Sequence, residues 1–591
     1  MCGIFALLNN SNEYDIFQEG TSYKEPIHIR KSSFSEEFIT DQIMKGQGRG
    51  PEDTKIKDYL HNVIFGFHRL AINGLNDVSN QPITINNVTI ICNGEIYNYK
   101  ELYQMSKTNP QTGSDCEVII HLYIKYGIEH TLNILDGVFA FVLLDMRTIP
   151  KIYVARDPYG VRPLYFLKCN GTDNYRNFML IGYASELKCL HEFTNKPKNQ
   201  YIIQHFTPGT YSLLCYSTKI NEWSHIFNQK YIIPAFSLSL PYNSQVYDLN
   251  DASAIIQTML VKAVSKRCTT TERPVACLLS GGLDSSLIAA LVCKSLKNIY
   301  IPETYSIGLE GSEDLKYAKQ VANHIKSKHT EIIVTEDDMF NAIPEVIKAI
   351  ESYDTTTIRA SLGNYLIGKY IKEHSEAKVI FNGDGSDELF GGYLYMNKCP
   401  DDIEFDKETR ELLKNIHAFD VLRSDKCISS HGLEPRTPFL DKNLVNVVLS
   451  MPAYIRNHKN VNDKKYGSIE KYILRNAFTI SQSDETSYGS NGLLPESILW
   501  RKKEAFSDGV SSHGRSLYQI LQEKIAAKLN ENTFNKIKYE ANIDSEKLYY
   551  KQIFDSLYSG CDHIIPHFWM PKYTDATDPS ARTLDIYKNN T

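Results

Sequence analysis

The segment Val275–Ser286 constrains the fold of this chain more than any other part of it. A short apolar run, Val-Ala-Cys-Leu-Leu, ends in Ser-Gly-Gly, and Asp284 and Ser285 then open an apolar segment of helical length. A strand that passes through a glycine loop into a helix gathers free backbone N–H groups and the positive end of a helix dipole at one point. Because no Gly-Lys-Ser/Thr follows, the loop is not a Walker A motif. We therefore predict an anion-binding strand–loop–helix unit.

A second loop of similar design follows the apolar strand Lys378–Phe381. It reads Asn-Gly-Asp-Gly-Ser-Asp-Glu over residues 382–388. One carboxylate from each loop, Asp284 and Asp387, would suit Mg²⁺ held against phosphate groups, since this ion prefers hard oxygen ligands. The alternative is that these acidic residues cap a helix N-terminus, which does not exclude metal binding.

Secondary-structure patterns predict two domains in this chain of 591 residues, which is longer than one hydrophobic core usually organises. Residues 2–205 contain many short strands separated by turn residues, whereas residues 206–250 contain prolines and no long helix and are predicted to connect the domains. From residue 251 to 575, helices alternate with short apolar strands, which indicates a parallel sheet covered by helices, and the part after 400 reads as mostly helical. Residues 576–591 form a polar tail that we expect to be mobile.

Local patterns predict the individual elements of both domains. Alternating apolar residues bounded by turn residues indicate strands, and longer periodic apolar runs indicate helices. The predictions are strands at Val63–Phe67, Val88–Cys92, Val138–Leu144, Ile152–Ala155, Met179–Gly182, Val275–Leu279 and Lys378–Phe381, turns at Asn86–Asn87, Asn93–Gly94, Asp157–Pro158 and Asn170–Gly171, and helices at Ala252–Val264 and Ser285–Ser295.

Composition places the chain among soluble globular proteins. Hydrophobic residues make up 42% and charged residues 23%, and the net charge of -6 gives no reason to expect nucleic acid or an anionic membrane as a partner. The 12 cysteines show no C-x-x-C pair or zinc-type spacing, which fits a reduced, cytoplasmic setting. No uncharged apolar run reaches the roughly 18 residues of a membrane span. The start, Met1–Leu8, lacks a positive leader, so we expect no signal peptide.

Cys2 becomes the first residue if Met1 is removed, and its own α-amino group then lies beside its thiol. That amine has a pKa of about 7.7–8.0, against about 10.4 for lysine, so much of it is free base near neutrality. It can take the thiol proton, and the thiolate can then attack an amide carbonyl. Most cysteines at this position carry no function, so the motifs that follow decide the interpretation.

Four polar motifs follow Cys2 in order. They are Arg49–Asp53, His68–Ile72, Cys92–Asn98 and Thr112–Glu117. Together with Cys2-Gly3-Ile4, this series resembles the class II glutamine amidotransferase domain, whose nucleophile is the N-terminal residue. The resemblance covers roughly residues 2–205 and implies an αββα sandwich of the N-terminal nucleophile type.

The resemblance also implies roles for individual residues. Cys2 is the expected nucleophile, and Arg69 is expected to pair with the substrate α-carboxylate, for which a guanidinium fork is well suited. Asn93 and the Gly94 backbone N–H are expected to form the oxyanion hole. The implied glutamine-binding residues are Arg69, Leu70, Ile72, Asn93, Glu95 and Asp115. The alternatives are that Arg69 forms a surface salt bridge and that Asn93–Gly94 is only a hairpin turn.

The glycine loop of the second domain, Ser-Gly-Gly-x-Asp-Ser, resembles the PP-loop of ATP pyrophosphatases, which release pyrophosphate and leave an adenylate. Four further segments make the second domain similar to the asparagine synthetase family over most of residues 251–515. These segments are Tyr305–Ser312, Ser352–Ala360, Gly432–Asp441 and Arg501–Val510.

This second resemblance implies sites for ATP, Mg²⁺ and aspartate. The implied ATP-binding residues are Leu278, Ser280, Gly281, Gly282, Asp284, Ser285, Ile307 and Gly383. Lys503 is expected to meet the phosphates and the developing charge of the adenylate, while Thr356, Thr357 and Arg359 are the candidates for aspartate. Asp384 stands where the family has a glutamate that is thought to help deprotonate the attacking ammonia, and it is one methylene shorter. Asp384 is expected to keep this catalytic role.

The two resemblances together predict a glutamine-dependent asparagine synthetase. Glutamine, aspartate and ATP are the expected substrates, and a homodimer is expected because family members are often dimers. Two alternatives remain open. One is a related amidotransferase that acts on another carboxylate, and the other is a catalytically silent regulatory protein with the same fold.

Overall fold

The computed structural model describes residues 2–9, 15–16, 27–28, 34–169, 180–195, 201–219, 221–232, 234, 248–479, 492–503, 509–511, 515–531, 545–566, 568–576 and 578–580. The chain forms two compact units. The first comprises Met1–Ile232 and Gly560–Ile564, and the second comprises Ile233–Ser559 and Ile565–Thr591. No described helix combines the length and the apolarity that crossing a bilayer requires.

The first unit is built on two six-stranded antiparallel sheets, ordered β12-β10-β11-β1-β5-β4 and β14-β13-β9-β8-β7-β6, and β2 pairs with β3. Its strands are Gly3–Leu8 (β1), Asp15–Ile16 (β2), Ile27–His28 (β3), Asp53–Tyr59 (β4), Val63–Arg69 (β5), Ile83–Ile85 (β6), Val88–Ile96 (β7), Gly137–Asp145 (β8), Lys151–Arg156 (β9), Tyr165–Cys169 (β10), Ile181–Ala184 (β11), Tyr201–His205 (β12), Thr210–Ser217 (β13) and Glu222–Lys230 (β14). Its helices are Glu36–Met44 (α1), Tyr99–Ser106 (α2), Val118–Tyr126 (α3) and Ile128–Ile134 (α4).

Strand β8 shows why the unit is layered. Successive side chains of a strand point to opposite faces. Phe139 and Phe141 pack in the core formed with α2, α3 and α4, whereas Ala140 and Val142 pack in the core between the two sheets. On the outer face of the other sheet, a Cβ at Gly66 would lie only 2.8 Å from a methyl group of Ile43 in α1. The predicted αββα sandwich is confirmed.

Strand β7 differs from its prediction in a way that affects the site. It was expected to end at Cys92, with a turn at Asn93–Gly94, but it continues to Ile96 and pairs Asn93 with Ala140 and Gly94 with Phe139 of β8. That turn prediction is wrong. The glycine serves close packing, because a Cβ at Gly94 would lie 2.5 Å from the carbonyl oxygen of Val138.

Other predicted turns have different outcomes. The turn at Asn86–Asn87 is confirmed, with φ of 49° and 58°, and it joins β6 to β7. Asp157–Pro158 forms the predicted turn after β9. Asn170–Gly171 and the predicted strand start at Met179 lie outside the described residues, and the described strand β11 begins at Ile181.

The predicted connecting segment, 206–250, contains two strands. β13 pairs with β9 and with β14, so both strands extend the second sheet and the first unit reaches Ile232. Pro208 and Gly209 lie just before β13, where Gly209 has a φ of 67°. The turn residues therefore mark the start of a hairpin within the first unit rather than its end.

The second unit has the predicted parallel sheet, ordered β17-β16-β15-β18-β19. Its strands are Val275–Leu278 (β15), Glu303–Leu309 (β16), Lys328–Val334 (β17), Val379–Phe381 (β18) and Glu434–Arg436 (β19). Its helices are Leu249–Thr269 (α5), Leu283–Leu296 (α6), Glu313–Ile325 (α7), Glu336–Asn341 (α8), Ile343–Ile350 (α9), Thr355–His374 (α10), Ser386–Phe390 (α11), Asp402–Asn415 (α12), Asp420–Ser429 (α13), Lys442–Ser450 (α14), Ala453–Arg456 (α15), Tyr472–Ala477 (α16), Glu496–Leu499 (α17), Leu517–Glu531 (α18) and Ser545–Tyr558 (α19).

The position of β15 beside β18 brings the two predicted loops together. Parallel neighbours end at the same edge of a sheet, and ligands of open α/β sheets bind outside these carboxyl ends. The glycine loop after β15 and the acidic loop after β18 therefore lie side by side, and a Cβ at Gly383 would lie 2.8 Å from Cβ of Asp284.

Candidate active sites

Cys2 lies at the start of β1, beside the segment that follows β5. Gly3 pairs with His68 across these strands, and the half-buried Cys2 thiol donates to the carbonyl oxygen of Leu70 at 3.7 Å. The buried Arg49 donates to the Cys2 carbonyl oxygen at 3.1 Å and forms an ion pair with Glu186 at 2.7 Å. Arg49 therefore supports the backbone of Cys2, and Met1 lies outside the described residues.

Arg69 ends β5 and holds the loop that follows it. One guanidinium nitrogen donates to the carbonyl oxygens of Gly74 at 2.6 Å and Asn76 at 2.8 Å. Arg69 is 7% exposed, so the alternative of a surface salt bridge does not describe it. Leu70 and Ile72 are buried in the same segment.

Glu95 contacts this loop, and Asp115 contacts the residue that follows Glu95. The Asn73 side chain donates to a Glu95 carboxylate oxygen at 2.8 Å, and the Ile96 backbone N–H donates to Asp115 at 2.7 Å. Three separate segments, the β5 loop, the end of β7 and the turn before α3, thus meet at two carboxylates. Such an arrangement suits a cationic group such as an α-ammonium.

Asn93 is fully buried in β7. Neither its side-chain nitrogen nor its side-chain oxygen has a hydrogen-bond partner within the described part of the chain. A buried unpaired amide is costly to folding and is uncommon in native proteins unless it has a function. Its N–H group is therefore available to donate to a ligand oxygen, as an oxyanion hole requires.

The glycine loop of the second unit has the geometry of an anion site. Gly281 has a φ of 75°, and a Cβ there would lie 2.5 Å from the backbone nitrogen of Ala318. Gly282 caps the N-terminus of α6, and the Ser285 hydroxyl accepts from the Ser280 backbone N–H at 3.2 Å. The glycines thus set the backbone shape of the loop, and the hydrogen bond between Ser280 and Ser285 joins its two ends.

Most of the predicted ATP and aspartate residues line a single cavity in the second unit. From the predicted set, its walls include Leu278, Ser280, Gly282, Asp284, Ser285, Ile307, Thr356, Thr357, Gly383, Asp384, Asp387 and Lys503. The structure therefore brings together residues that are separated by more than two hundred positions in sequence.

Arg359 is not among the residues that line this cavity. Its guanidinium is buried and forms ion pairs with Glu546 at 2.6 Å and Asp578 at 2.8 Å. The prediction that Arg359 contacts aspartate is not supported, because its donors are already taken by these two carboxylates. Thr356 and Thr357 lie in the first turn of the same helix, α10, and do line the cavity.

Comparisons with known proteins match both parts of the chain. A family model for the glutamine amidotransferase domain matches residues 1–214, and one for asparagine synthase matches residues 256–404 and 398–576. The glutamine-hydrolysing asparagine synthetase of Gallus gallus is 41% identical over 568 residues, 92% of this chain and 96% of the relative. The proteins of the same name from Cricetulus griseus and Homo sapiens are 39% and 38% identical, with the same coverage. This chain belongs to the asparagine synthetase family.

Asp384 is the residue that we expect to replace a glutamate of the asparagine synthetase family. One of its carboxylate oxygens lies 3.4 Å from a guanidinium nitrogen of Arg423, which also pairs with Asp420. The other oxygen is buried and has no partner among the described residues. The shorter side chain therefore still presents a free carboxylate oxygen in the cavity.

Lys471 is the main residue of this site that the sequence analysis did not predict. Its buried ammonium lies 2.5 Å from Asp284 and 2.5 Å from Asp387, and Lys503 also pairs with Asp387. Burial opposes the ionisation of Asp387, but the two lysines outweigh it and hold the pKa of that carboxyl below its usual range. The residues around Lys471, Glu-Lys-Tyr, contain no glycine loop or spacing that marks a site.

Glu388 is a second missed residue of the cavity. The Tyr393 hydroxyl donates to one of its carboxylate oxygens at 2.6 Å, and the other oxygen has no partner in the described ranges. Burial, and then the neighbouring charge of Asp387, raise the pKa of Glu388 to about 7. It follows Asp387 directly in a segment that had been interpreted only as a metal and helix-capping motif.

Proposed function

We propose that this chain is a glutamine-dependent asparagine synthetase that makes asparagine, glutamate, AMP and pyrophosphate. In the first unit, the Cys2 thiolate attacks the side-chain amide of glutamine, and the oxyanion is stabilised by Asn93 and the Gly94 N–H. Arg69 pairs with the α-carboxylate of glutamine, while Glu95 and Asp115 hold its α-ammonium. The tetrahedral intermediate collapses to a thioester as its C–N bond breaks, and the nitrogen leaves as ammonia with the proton taken from the thiol. Water then hydrolyses the C–S bond, which releases glutamate and restores the thiol.

In the second unit, the residues of the cavity activate aspartate. The glycine loop, Ser280–Ser285, binds the phosphates of ATP, and Leu278, Ile307 and Gly383 contact the adenosine. Aspartate binds in the cavity beside Thr356 and Thr357, its side-chain carboxylate attacks the α-phosphorus, and pyrophosphate leaves. Lys503 stabilises the charge that develops on the phosphates. Ammonia then attacks the acyl group, AMP departs, and Asp384 accepts a proton from the nitrogen.

Mg²⁺ is the cofactor that we propose for this step. Asp284 and Asp387 both lie within hydrogen-bond distance of the ammonium nitrogen of Lys471. Two hard oxygen donors from different loops therefore converge on one point, as a Mg²⁺ site requires. Among the described residues, no group of three or more His, Cys, Asp or Glu side chains could hold a metal. Mg²⁺ would take its remaining ligands from phosphates and water, as it usually does in proteins. When bound, the ion would neutralise phosphate charge.

The observation that most supports the proposal is the shared cavity of the second unit. The glycine loop, the acidic loop, Lys503 and the two threonines line the same space, so nucleotide, cation and acceptor acid can be bound in contact. A homodimer in the cytoplasm is the state that we propose for the protein.

The deciding experiment is an assay of the purified chain with ATP, Mg²⁺ and aspartate, with either glutamine or ammonium as nitrogen source. We expect asparagine from both sources, with one pyrophosphate released for each asparagine. Pyrophosphate release that depends on another acid instead of aspartate would favour the related amidotransferase. No pyrophosphate release with any acid would favour the regulatory protein.

A further inference from the structure

Residues 568–576 and 578–580, here called the C-terminal wall, form one side of the cavity in the second unit. Trp569, Pro571 and Pro579 line the cavity together with the loops described above. The last part of this segment was expected to belong to a mobile polar tail. Instead, Asp578 and Ser580 are buried, and the Ser580 backbone N–H donates to Asp578 at 2.8 Å.

Trp569 lies against the end of the cavity formed by the acidic loop and α10. Its ring centroid is 5.2 Å from that of Tyr393 and 5.9 Å from that of Tyr395. These tyrosines follow the acidic loop in sequence, whereas the adenosine side is formed by residues of β15 and β16. The aromatic wall thus lies at the acceptor end rather than the nucleotide end.

Asp354 couples Trp569 to the residues proposed to bind aspartate. One of its carboxylate oxygens accepts from the Trp569 backbone N–H at 3.2 Å, and the other accepts from the Thr357 backbone N–H at 2.8 Å and its hydroxyl at 2.7 Å. The Thr356 hydroxyl donates to the Trp569 carbonyl oxygen at 3.5 Å. These hydrogen bonds link the wall to the start of α10.

Two buried or partly buried ion pairs anchor the wall at different points. Near its end, Asp578 receives two hydrogen bonds of 2.8 Å from Arg359, whose Nε and Nη2 also donate to Glu546. Nearer Trp569, Lys572 pairs with Glu408 of α12. Arg359 and Glu546 have side chains that are 4% and 0% exposed. Bidentate pairs that are shielded from water hold fixed geometry better than exposed ones do.

We propose that the C-terminal wall selects the acceptor acid: Trp569 limits the length of the amino dicarboxylic acid, and Arg359 is a positioning residue that holds the wall through Asp578. The inference rests on the proposed function for the acceptor role of Thr356 and Thr357. A rigid aromatic face beside these residues admits the four-carbon acid and excludes its five-carbon homologue. One methylene in such a pocket changes relative rates by about 10–200-fold.

The first test replaces Trp569 in the full chain and measures ammonia-dependent kinetics with aspartate and with glutamate. Trp569→Ala should raise KM for aspartate and lower the aspartate-over-glutamate ratio of kcat/KM by about tenfold or more. KM for ATP and the glutaminase rate should stay near their wild-type values. Trp569→Phe keeps a ring and should retain most of the discrimination. Trp569→Leu serves the same comparison if the alanine variant does not fold. An unchanged ratio in the Ala or Leu variant would overturn the role of Trp569.

The second test separates positioning from fold stability. Asp578→Asn and Glu546→Gln each remove one of the two carboxylates that bind Arg359, but only Asp578 belongs to the wall. Asp578→Asn should raise KM for aspartate several-fold with little change in KM for ATP, whereas Glu546→Gln should leave KM for aspartate near wild type even where its melting temperature falls. If Asp578→Asn and Glu546→Gln changed KM for aspartate equally, Arg359 would serve only the fold, and its positioning role would be overturned.

Wild-type measurements distinguish failure of this inference from failure of the proposed function. A wild-type chain that uses no aspartate overturns the proposed function, and the inference with it. A wild-type chain that makes asparagine, together with variants of unchanged acid preference, overturns the inference alone.

Discussion

Lys471 places its ammonium nitrogen 2.5 Å from a carboxylate oxygen of Asp284. The same nitrogen lies 2.5 Å from Asp387, so one buried cation joins the glycine loop of β15 to the acidic loop of β18. Burial lowers the pKa of a lysine, but here the two carboxylates outweigh burial and raise it. Lys471 therefore remains charged, and it compensates two half-buried negative charges at the place proposed for Mg²⁺.

Replacing Lys471 with methionine should remove the positive charge that lies between Asp284 and Asp387. We expect Lys471→Met to lower the free energy of unfolding by about 3–5 kcal/mol without metal, as breaking a buried ion pair usually does. Added Mg²⁺ should restore part of this loss, because a divalent cation compensates the same carboxylates. Denaturation with and without Mg²⁺ measures both effects, and the Mg²⁺-induced shift should be larger in the variant than in wild type.

Lys524→Met is the matched control for that experiment. Lys524 pairs with Asp337 at 2.6 Å, but the Asp337 side chain is 76% exposed, so its loss should cost less than about 1 kcal/mol. Equal stability of Lys471→Met and wild type, with equal shifts on adding Mg²⁺, would contradict the proposed electrostatic link between the two loops.

Cys2→Ala should separate the two reactions. Without the thiol, no thioester can form, so glutamine-dependent asparagine synthesis should fall to background while ammonia-dependent synthesis persists. Asparagine formation with each nitrogen source provides the measurement. Cys215→Ala, at a half-buried thiol of β13 in the same unit, is the control and should keep both activities. Glutamine use that survives in Cys2→Ala would mean that another residue is the nucleophile.

The layers of both units could be predicted because their signals are local. The alternation in β8 assigns Phe139 and Val142 to opposite faces, and the Ser-Gly-Gly run of the second unit contains strand end, loop and helix start within a few residues. Gly94 was misinterpreted for the same reason. Asn-Gly is a strong local signal for a hairpin, but the requirement for glycine there comes from the backbone of the neighbouring strand.

Residues whose roles depend on distant partners could not be predicted. Lys471 lies 187 positions from Asp284, and Arg359 lies 219 positions from Asp578. No spacing rule connects such pairs, since only the packed fold brings them together. The family resemblance of Ser352–Ala360 placed Arg359 in the acceptor site, whereas its side chain lies among carboxylates from the end of the chain.

Asp384→Asn should affect amide formation more than adenylate formation. The variant keeps the size of the side chain but cannot accept a proton, and a general base contributes about 10²–10⁴-fold to such steps. We expect ammonia-dependent asparagine formation to slow by that order, while aspartate-dependent exchange of pyrophosphate into ATP continues. Asp384→Glu keeps the carboxylate with a longer reach and should remain active. Equal loss of both reactions in Asp384→Asn would indicate a role in substrate binding instead.

His431 should make the second unit less stable in mild acid. Burial, assisted by the positive charges of Lys372 and Lys369, lowers the pKa of His431 to about 4. The unfolded chain therefore binds a proton at higher pH than the folded chain, so stability is full above about pH 6.5 and is lost as the pH falls through 6.5 toward 4. The expected loss from this group is on the order of 1–3 kcal/mol.

His431→Gln tests this because glutamine does not take up a proton in this range. The urea midpoint of wild type minus that of the variant should be constant above pH 7. It should become smaller as the pH falls from 6.5 to 4, because only wild type takes up the proton. His374→Gln, at an exposed position near the end of α10, is the control for the loss of an imidazole. His431 is buried between Gly368 and Tyr365. A pH-independent difference for His431→Gln would mean that this burial does not keep His431 neutral in the folded chain.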